Sequence, residues 1–160
     1  MKKIFIVLLI LLGLYSCGEN VKTNQKQQTK TENFAFSKDT ELQIKDSLGE
    51  TIAKFNIELA TDAYKRETGL MYRKSMKPEN AMLFIFEKEK PLYFYMKNTY
   101  IPLDIIYINT QKRIVSIAKN ALPLDETTLP SNYPAKYVLE VNAGLADQLG
   151  IVPGLKVDWK

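Results

Sequence analysis

Phe94-Tyr95-Met96-Lys97-Asn98-Thr99-Tyr100-Ile101-Pro102-Leu103-Asp104 is the most unusual stretch of this 160-residue chain. An apolar, aromatic run enters Lys-Asn-Thr, and Pro102 then stiffens the approach to the next apolar segment. Residues 92–96 read as a strand, and Asn98 and Thr99 are natural turn and cap formers. Residues 104–109 and 113–118 follow as a hairpin around Thr110-Gln111-Lys112. The stretch therefore reads as strand, turn and strand, and the same pattern continues in both directions.

Upstream, residues 41–46 and 51–59 are strand-like, with Ser47-Leu48-Gly49-Glu50 as the hairpin turn. Thr61 or Asp62 caps a short helix through Thr68, and Gly69 suits its C′ position. Residues 81–86 form an apolar run that reads as a buried strand, joined to residues 92–96 by the charged turn 87–91. Downstream, residues 119–134 hold three prolines and little periodicity, so a long loop is expected. Residues 137–141 read as a strand, Asn142 as the cap of a second short helix over 143–149, and Gly150 as its end. Val152-Pro153-Gly154 turns into a last strand ending near Trp159. These elements predict an α+β domain: a mostly antiparallel bent sheet or small β-barrel with two short helices. One echo stands out. Ile57-Glu58-Leu59 precedes a helix ended by Gly69-Leu70, and Leu139-Glu140-Val141 precedes one ended by Gly150-Ile151.

The chain has no histidine and one cysteine. Ser-His-Asp and Cys-His catalysis are therefore excluded, as are zinc and copper sites built on those ligands. No glycine-rich phosphate loop is present. The remaining side chains suit binding of anions, sugars or calcium, or a pair of carboxylates working as acid and base. Asp62, Asp104, Asp125, Glu126 and Glu140 are the carboxylates to consider for such a pair. No catalytic residue, metal site or cofactor is assigned.

A second stretch, Arg66-Glu67-Thr68-Gly69-Leu70-Met71-Tyr72-Arg73, extends the pattern. Residues 66–73, 81–86 and 94–104 closely resemble, in order, the R-x-x-G-L-M-x-R, G/A-M-L-F-x-F and F-W-M-K-N-T-x-x-P-L-D motifs of the DUF192 family. Tyr137-Val138-Leu139-Glu140-Val141-Asn142-Ala143-Gly144 and Gly150-Ile151-Val152-Pro153-Gly154 resemble its ending. Tyr95 stands where the family often has Trp, and Asn142 where it often has Pro or Ala. The likeness spans about residues 45–157. It implies a compact α+β domain dominated by a bent, barrel-like sheet. The family has no established function, so the resemblance implies no reaction.

Candidate ligand-binding residues come from these stretches. Arg66 lies in the first helix, Arg73 just past its end and Lys97 just past a strand. Their convergence would bring three cations to one anion, with Asn98 and Thr99 adding hydrogen bonds and Tyr95 stacking. Asp104 would balance the charge or orient Lys97. Glu140 alternates with Leu139 and Val141 and so faces the opposite side of its strand. The same residues equally suit an internal network of ion pairs that locks loops. Met71, Met82 and Met96 read as flexible core filler. Phe84, Phe86, Tyr93, Phe94 and Tyr100 read as core or rim, an exposed subset being able to stack on sugar rings. Three functions are open: a non-catalytic binding or accessory domain for a small anionic or polar ligand, a carboxylate-dependent hydrolase of envelope carbohydrate, and a structural partner of another envelope protein.

The N-terminus sets location. Lys2 and Lys3 precede an apolar run over residues 4–14, too short to span a bilayer and suited to a signal peptide. Leu14-Tyr15-Ser16-Cys17 resembles the lipobox of bacterial lipoproteins. Residues 1–16 are expected to be removed and Cys17 to carry diacylglycerol and an N-acyl chain such as palmitate, enough for stable anchorage. As the sole cysteine, Cys17 has no intramolecular disulfide partner. Residues 18–33, rich in Gln, Lys, Thr and Asn, are expected to be a disordered tether reaching on the order of 20–25 Å. The domain then occupies residues 34–160. The expected place is the cell envelope, at the outer membrane or periplasmic face if the cell is Gram-negative. The net charge of +4 includes Lys2 and Lys3, so no nucleic-acid partner is implied.

Overall fold

Alternating burial builds the first hairpin. In β1 (Thr40–Lys45), Leu42 and Ile44 are buried while Glu41 is exposed. β2 (Thr51–Ala60) buries Ala53, Phe55 and Ile57 on the same side. Between them the Asp46 carboxylate accepts hydrogen bonds from the Leu48 and Glu50 amides, and Gly49 supplies a φ of 86°. The structure, a computed structural model, describes residues 35–160. The expected signal peptide, Cys17 and tether lie outside the described residues.

Helix α1 (Ala63–Thr68) starts where Asp62 accepts from the Lys65 amide at 2.8 Å. It carries the chain across to β3 (Asn80–Lys90), which pairs with β2 in parallel. β4 (Tyr93–Phe94), β5 (Leu103–Ile108), β6 (Ile114–Ala121), β7 (Leu129–Pro130), β8 (Ala135–Asn142), α2 (Leu145–Gln148) and β9 (Lys156–Trp159) follow. Seven strands form one sheet in the order β6-β5-β8-β3-β2-β1-β9, and β4 pairs with β7 separately.

This architecture corrects the expected fold class. The chain is mostly β, with helices of only six and four residues, and is no balanced α+β domain. Gly69 (φ 47°) and Gly150 (φ 66°) end both helical segments early. The sheet is mixed, because the α1 crossover makes β2 and β3 parallel. Nor is it a closed barrel. The two edge strands meet through a single bridge, Arg113 to Lys156, and β6 pairs within the sheet only with β5.

Three local expectations also change. Residues 87–90, read as a charged turn, extend β3, and Lys90 pairs with Ala135 after a bulge. The following strand shrinks to Tyr93–Phe94 and pairs with β7 inside the expected long loop. Asn142 does not cap α2. Its amide donates to the Met76 carbonyl at 2.8 Å, while Gly144 occupies the cap position without a side-chain bond.

The pleat separates two apolar clusters. On β3, Ala81 and Leu83 face one cluster with Leu42, Ile57, Ile106 and Leu139, while Met82 and Phe84 face the other. The second cluster is covered by Leu70, Leu92, Met96 and Ile101, which come from the segments around α1 and β4. Each such fully buried side chain contributes roughly 1.5–3 kcal/mol. The motif segments thus form the lid of the second face, and the candidate site lies under that lid.

Candidate functional site

One rung of the sheet organises the site. Glu58 of β2 pairs with Met82 of β3, Met82 with Glu140 of β8, and Glu140 with Ile105 of β5. Side chains in register point to one face, here that of the second cluster. Two carboxylates therefore flank Met82, with backbones two strand spacings, about 10 Å, apart. Arg73, delivered by the segment after α1, reaches Glu58 with two parallel bonds. Nη1 donates to Oε2 and Nη2 to Oε1, each at 2.9 Å, with the side chains 9% and 13% exposed. This fork geometry is what guanidinium offers and ammonium does not. The Arg73 Nε is buried with no hydrogen-bond partner.

Glu140 has a different environment. It is 5% exposed, and among the described residues burial and the Arg73 charge, with no hydrogen bond, act on its carboxyl. Burial pushes its pKa up to about 8, with the Arg73 charge pulling in the opposite direction. The carboxyl is therefore largely neutral at pH 7. Tyr107 on the neighbouring strand is raised as well, by burial and then by the Glu140 charge. Its hydroxyl donates to the Leu129 carbonyl at 2.6 Å.

Glu140 lines a cleft of ≈ 230 Å³ whose aromatic wall is Phe84, Phe86 and Phe94. Phe94 holds this wall together by edge-to-face contacts with Phe84 (5.2 Å between centroids), Phe86 (6.3 Å) and Tyr107 (6.0 Å). Tyr93 and Tyr95, 66% and 45% exposed, stand at the mouth. The end of α1 closes the other side with Arg66, Glu67 and Gly69. Glycine is required there. A Cβ on residue 69 would lie 2.9 Å from Phe84 Cζ, and φ is positive.

The candidate residues part company here. Arg66, Tyr95, Thr99 and Glu140 line the cleft. Arg66 donates to the Thr61 and Ile85 carbonyls and lies 5.8 Å over the Phe86 ring. Thr99 is buried and donates to the Lys97 carbonyl at 3.2 Å. Arg73 is bound to Glu58. Lys97 is exposed and does not line the cleft, so the three cations are not gathered around one point. Asn98 serves a turn. It is left-handed (φ 54°), its carbonyl accepts from the Tyr72 amide, and its side-chain amide donates to the Tyr72 hydroxyl at 2.9 Å. Asp104 is fully buried away from the cleft, where it accepts from the Asn120 amide at 2.8 Å and the Ala146 amide at 2.9 Å. It neither balances nor orients Lys97. Among the described residues no group of three or more carboxylates gathers to hold a metal.

Sequence reasoning passed over Glu58 and left Phe84, Phe86 and Phe94 as core or rim. The signal for Glu58 was the repeated apolar-Glu-apolar strand, since that echo marks the two carboxylates of the rung. The aromatic wall has no such signal, because burial and lining a cleft favour the same residue types.

Comparison with known proteins shows the family. Residues 44–159 match the model of DUF192, described as an uncharacterised ACR. The UPF0127 protein PF1050 of Pyrococcus furiosus is 25% identical over 108 residues, covering 66% of this chain and 88% of that protein. A crystal structure of a protein of unknown function from Novosphingobium aromaticivorans is 41% identical with a TM-score of 0.70, covering 74% of this chain and 84% of its own. A Sinorhizobium meliloti protein, described as a candidate transcription regulator, is 39% identical with a TM-score of 0.73, covering 78% and 97%.

Proposed function

The chain belongs to the DUF192 family, and from that premise we propose that it is a lipid-anchored envelope protein whose domain binds a small polar ligand, without catalysis, in the cleft over Glu140. One observation carries the reading: a buried carboxyl without a hydrogen bond lines an aromatic cleft. The carboxyl lines the cleft, where a ligand polar group can hydrogen-bond to it. The arginine whose charge acts on it is committed to Glu58, which favours a polar ligand over an anion. The anchor rests on Lys2, Lys3, the apolar run and Leu14-Tyr15-Ser16-Cys17.

Two experiments test it. Neutral, cationic and anionic fragments are screened by ligand-observed NMR against the full chain in neutral detergent. Hits lost in Glu140→Leu support the cleft, and the absence of any Glu140-dependent hit overturns it. Cys17→Ser should move the protein out of the membrane fraction and abolish palmitate labelling; retention of both overturns the anchor.

A hydrolase draws on the same observation, since a neutral carboxyl at pH 7 is a general acid in waiting. It needs an ionised partner in the cleft, and Glu67 is the carboxylate that lines it alongside Glu140. Turnover of aryl glycosides by the full chain, lost in Glu140→Gln, would favour this reading.

A further inference from the structure

We infer that the cleft receives a small organic monocation, an alkylammonium or quaternary ammonium group, seated between the Glu140 carboxylate and the wall formed by Phe84, Phe86 and Phe94. The inference rests on the reading of the cleft as a binding site and names the chemistry of its occupant.

Charge balance is the first argument. Arg66 and Glu67 line the cleft with opposite signs. Arg73, the cation that acts on Glu140, is neutralised by its two bonds to Glu58. Tyr107 faces Glu140 from β5, but its hydroxyl is spent on the Leu129 carbonyl. Met82 adds no charge from β3, and Lys97 does not line the cleft. Once ionised, Glu140 therefore leaves the lining one negative charge in excess. A ligand with a single positive charge cancels that excess, whereas an anion meets both Glu140 and Glu67.

The wall supplies the second argument. Aromatic faces attract cations through the ring quadrupole, most strongly where water is excluded. This wall already holds one, since the Arg66 guanidinium carbon lies 5.8 Å from the Phe86 centroid. Size is the third. At ≈ 230 Å³ the cleft falls below the usual range of about 300–1,000 Å³ for drug-sized ligands, so its occupant is small.

Ionisation couples to binding. In the empty cleft the Glu140 carboxyl holds its proton up to about pH 8. A cation favours the carboxylate, so the neutral carboxyl plus the cation gives an ion pair plus one released proton. Binding below that pH therefore releases close to one proton, and affinity rises with pH until the free carboxyl ionises by itself.

Three probes of similar shape and different charge test the inference: tetramethylammonium, tert-butanol and pivalate. Titration calorimetry of the full chain in neutral detergent, in two buffers of different ionisation enthalpy, reads both affinity and proton release. Tetramethylammonium is expected to bind with about one proton released near pH 6.5 and almost none near pH 9. Glu140→Gln should weaken it at least about tenfold, and Phe94→Leu several-fold, while tert-butanol is unaffected by Glu140→Gln. Tetramethylammonium binding unchanged in Glu140→Gln, or binding no tighter than that of tert-butanol or pivalate, overturns the inference. If neutral fragments bind in a Glu140-dependent way and ammonium probes do not, the cation is wrong and the binding function stands. If no probe or fragment binds, both fall.

Discussion

Arg73 and Glu58 join the segment after α1 to β2 through two parallel hydrogen bonds of 2.9 Å, at side chains 9% and 13% exposed. The pair fixes the R-x-x-G-L-M-x-R segment onto the sheet next to the cleft. A lysine there would keep the charge but lose the fork.

Breaking one half should therefore cost more than removing both. Arg73→Met leaves the Glu58 carboxylate nearly buried and uncompensated, a loss of roughly 3–5 kcal/mol. Glu58→Leu combined with Arg73→Met should recover most of that, because the desolvation cost of both charges disappears together. Urea unfolding followed by the single tryptophan, Trp159, reads the three values. Equal losses in the single and double variants would show that the pair contributes through packing alone.

Glu140 makes stability depend on pH in a definite direction. Its folded pKa of about 8 lies above the ordinary value of 4.5. Between those values the unfolded chain has released this proton and the folded chain retains it. Stability therefore falls as pH rises from about 4.5 to about 8, by up to roughly 1.4 kcal/mol per pH unit, and levels off above. Glu140→Gln should abolish this slope and leave the variant more stable than the parent at pH 8. Thermal melts of both proteins across that range check it, and parallel curves would show that Glu140 ionises normally.

The first hairpin was legible because its strands alternate buried and more exposed residues around a strong turn signal, and β5 because it is a short, almost wholly apolar run that is buried throughout. The α1 cap was legible because Asp62 precedes the helix directly. Residues 87–90 were misread because charge marks exposure, and an exposed strand end and a turn look alike in sequence. The parallel pairing of β2 with β3 was hidden for a related reason. Strand order depends on where the α1 crossover lands, which no single segment encodes. In the site, Glu140 was legible from its place between Leu139 and Val141. The pairing of Arg73 with Glu58 was not legible, because Glu58 lies fifteen residues back on β2. Asp104 could not be read from sequence, since its acceptors' donors are backbone amides at Asn120 and Ala146.

Asp104 should behave as a structural residue. Its two oxygens satisfy the Asn120 amide and the Ala146 amide in α2, a helix that lacks a side-chain cap of its own. Asp104→Ala strands the buried Ala146 amide and removes the acceptor of the part-buried Asn120 amide, and should destabilise by about 1–3 kcal/mol. Asp104→Asn keeps one acceptor and should lose less. Hydrogen exchange at the Ala146 amide should accelerate in both, while fragment binding in the cleft remains unchanged. Loss of fragment binding in folded Asp104→Asn would return Asp104 to the ligand site.

Gly69 combines two constraints that substitution can separate. Its backbone, at φ 47° and ψ −127°, is strained for any residue with a Cβ, at a cost of order 1–3 kcal/mol. An added Cβ would also sit 2.9 Å from Phe84 Cζ, in the wall of the cleft. Gly69→Ala should therefore destabilise the protein and displace Phe84, weakening any ligand held by that wall. Phe84→Leu by itself opens space, so in the Gly69→Ala, Phe84→Leu double variant the clash vanishes and only the backbone cost adds. A double-mutant cycle by urea unfolding should thus show favourable coupling between positions 69 and 84. Strict additivity would mean that Phe84 moves aside freely and that the glycine is needed for its backbone conformation alone.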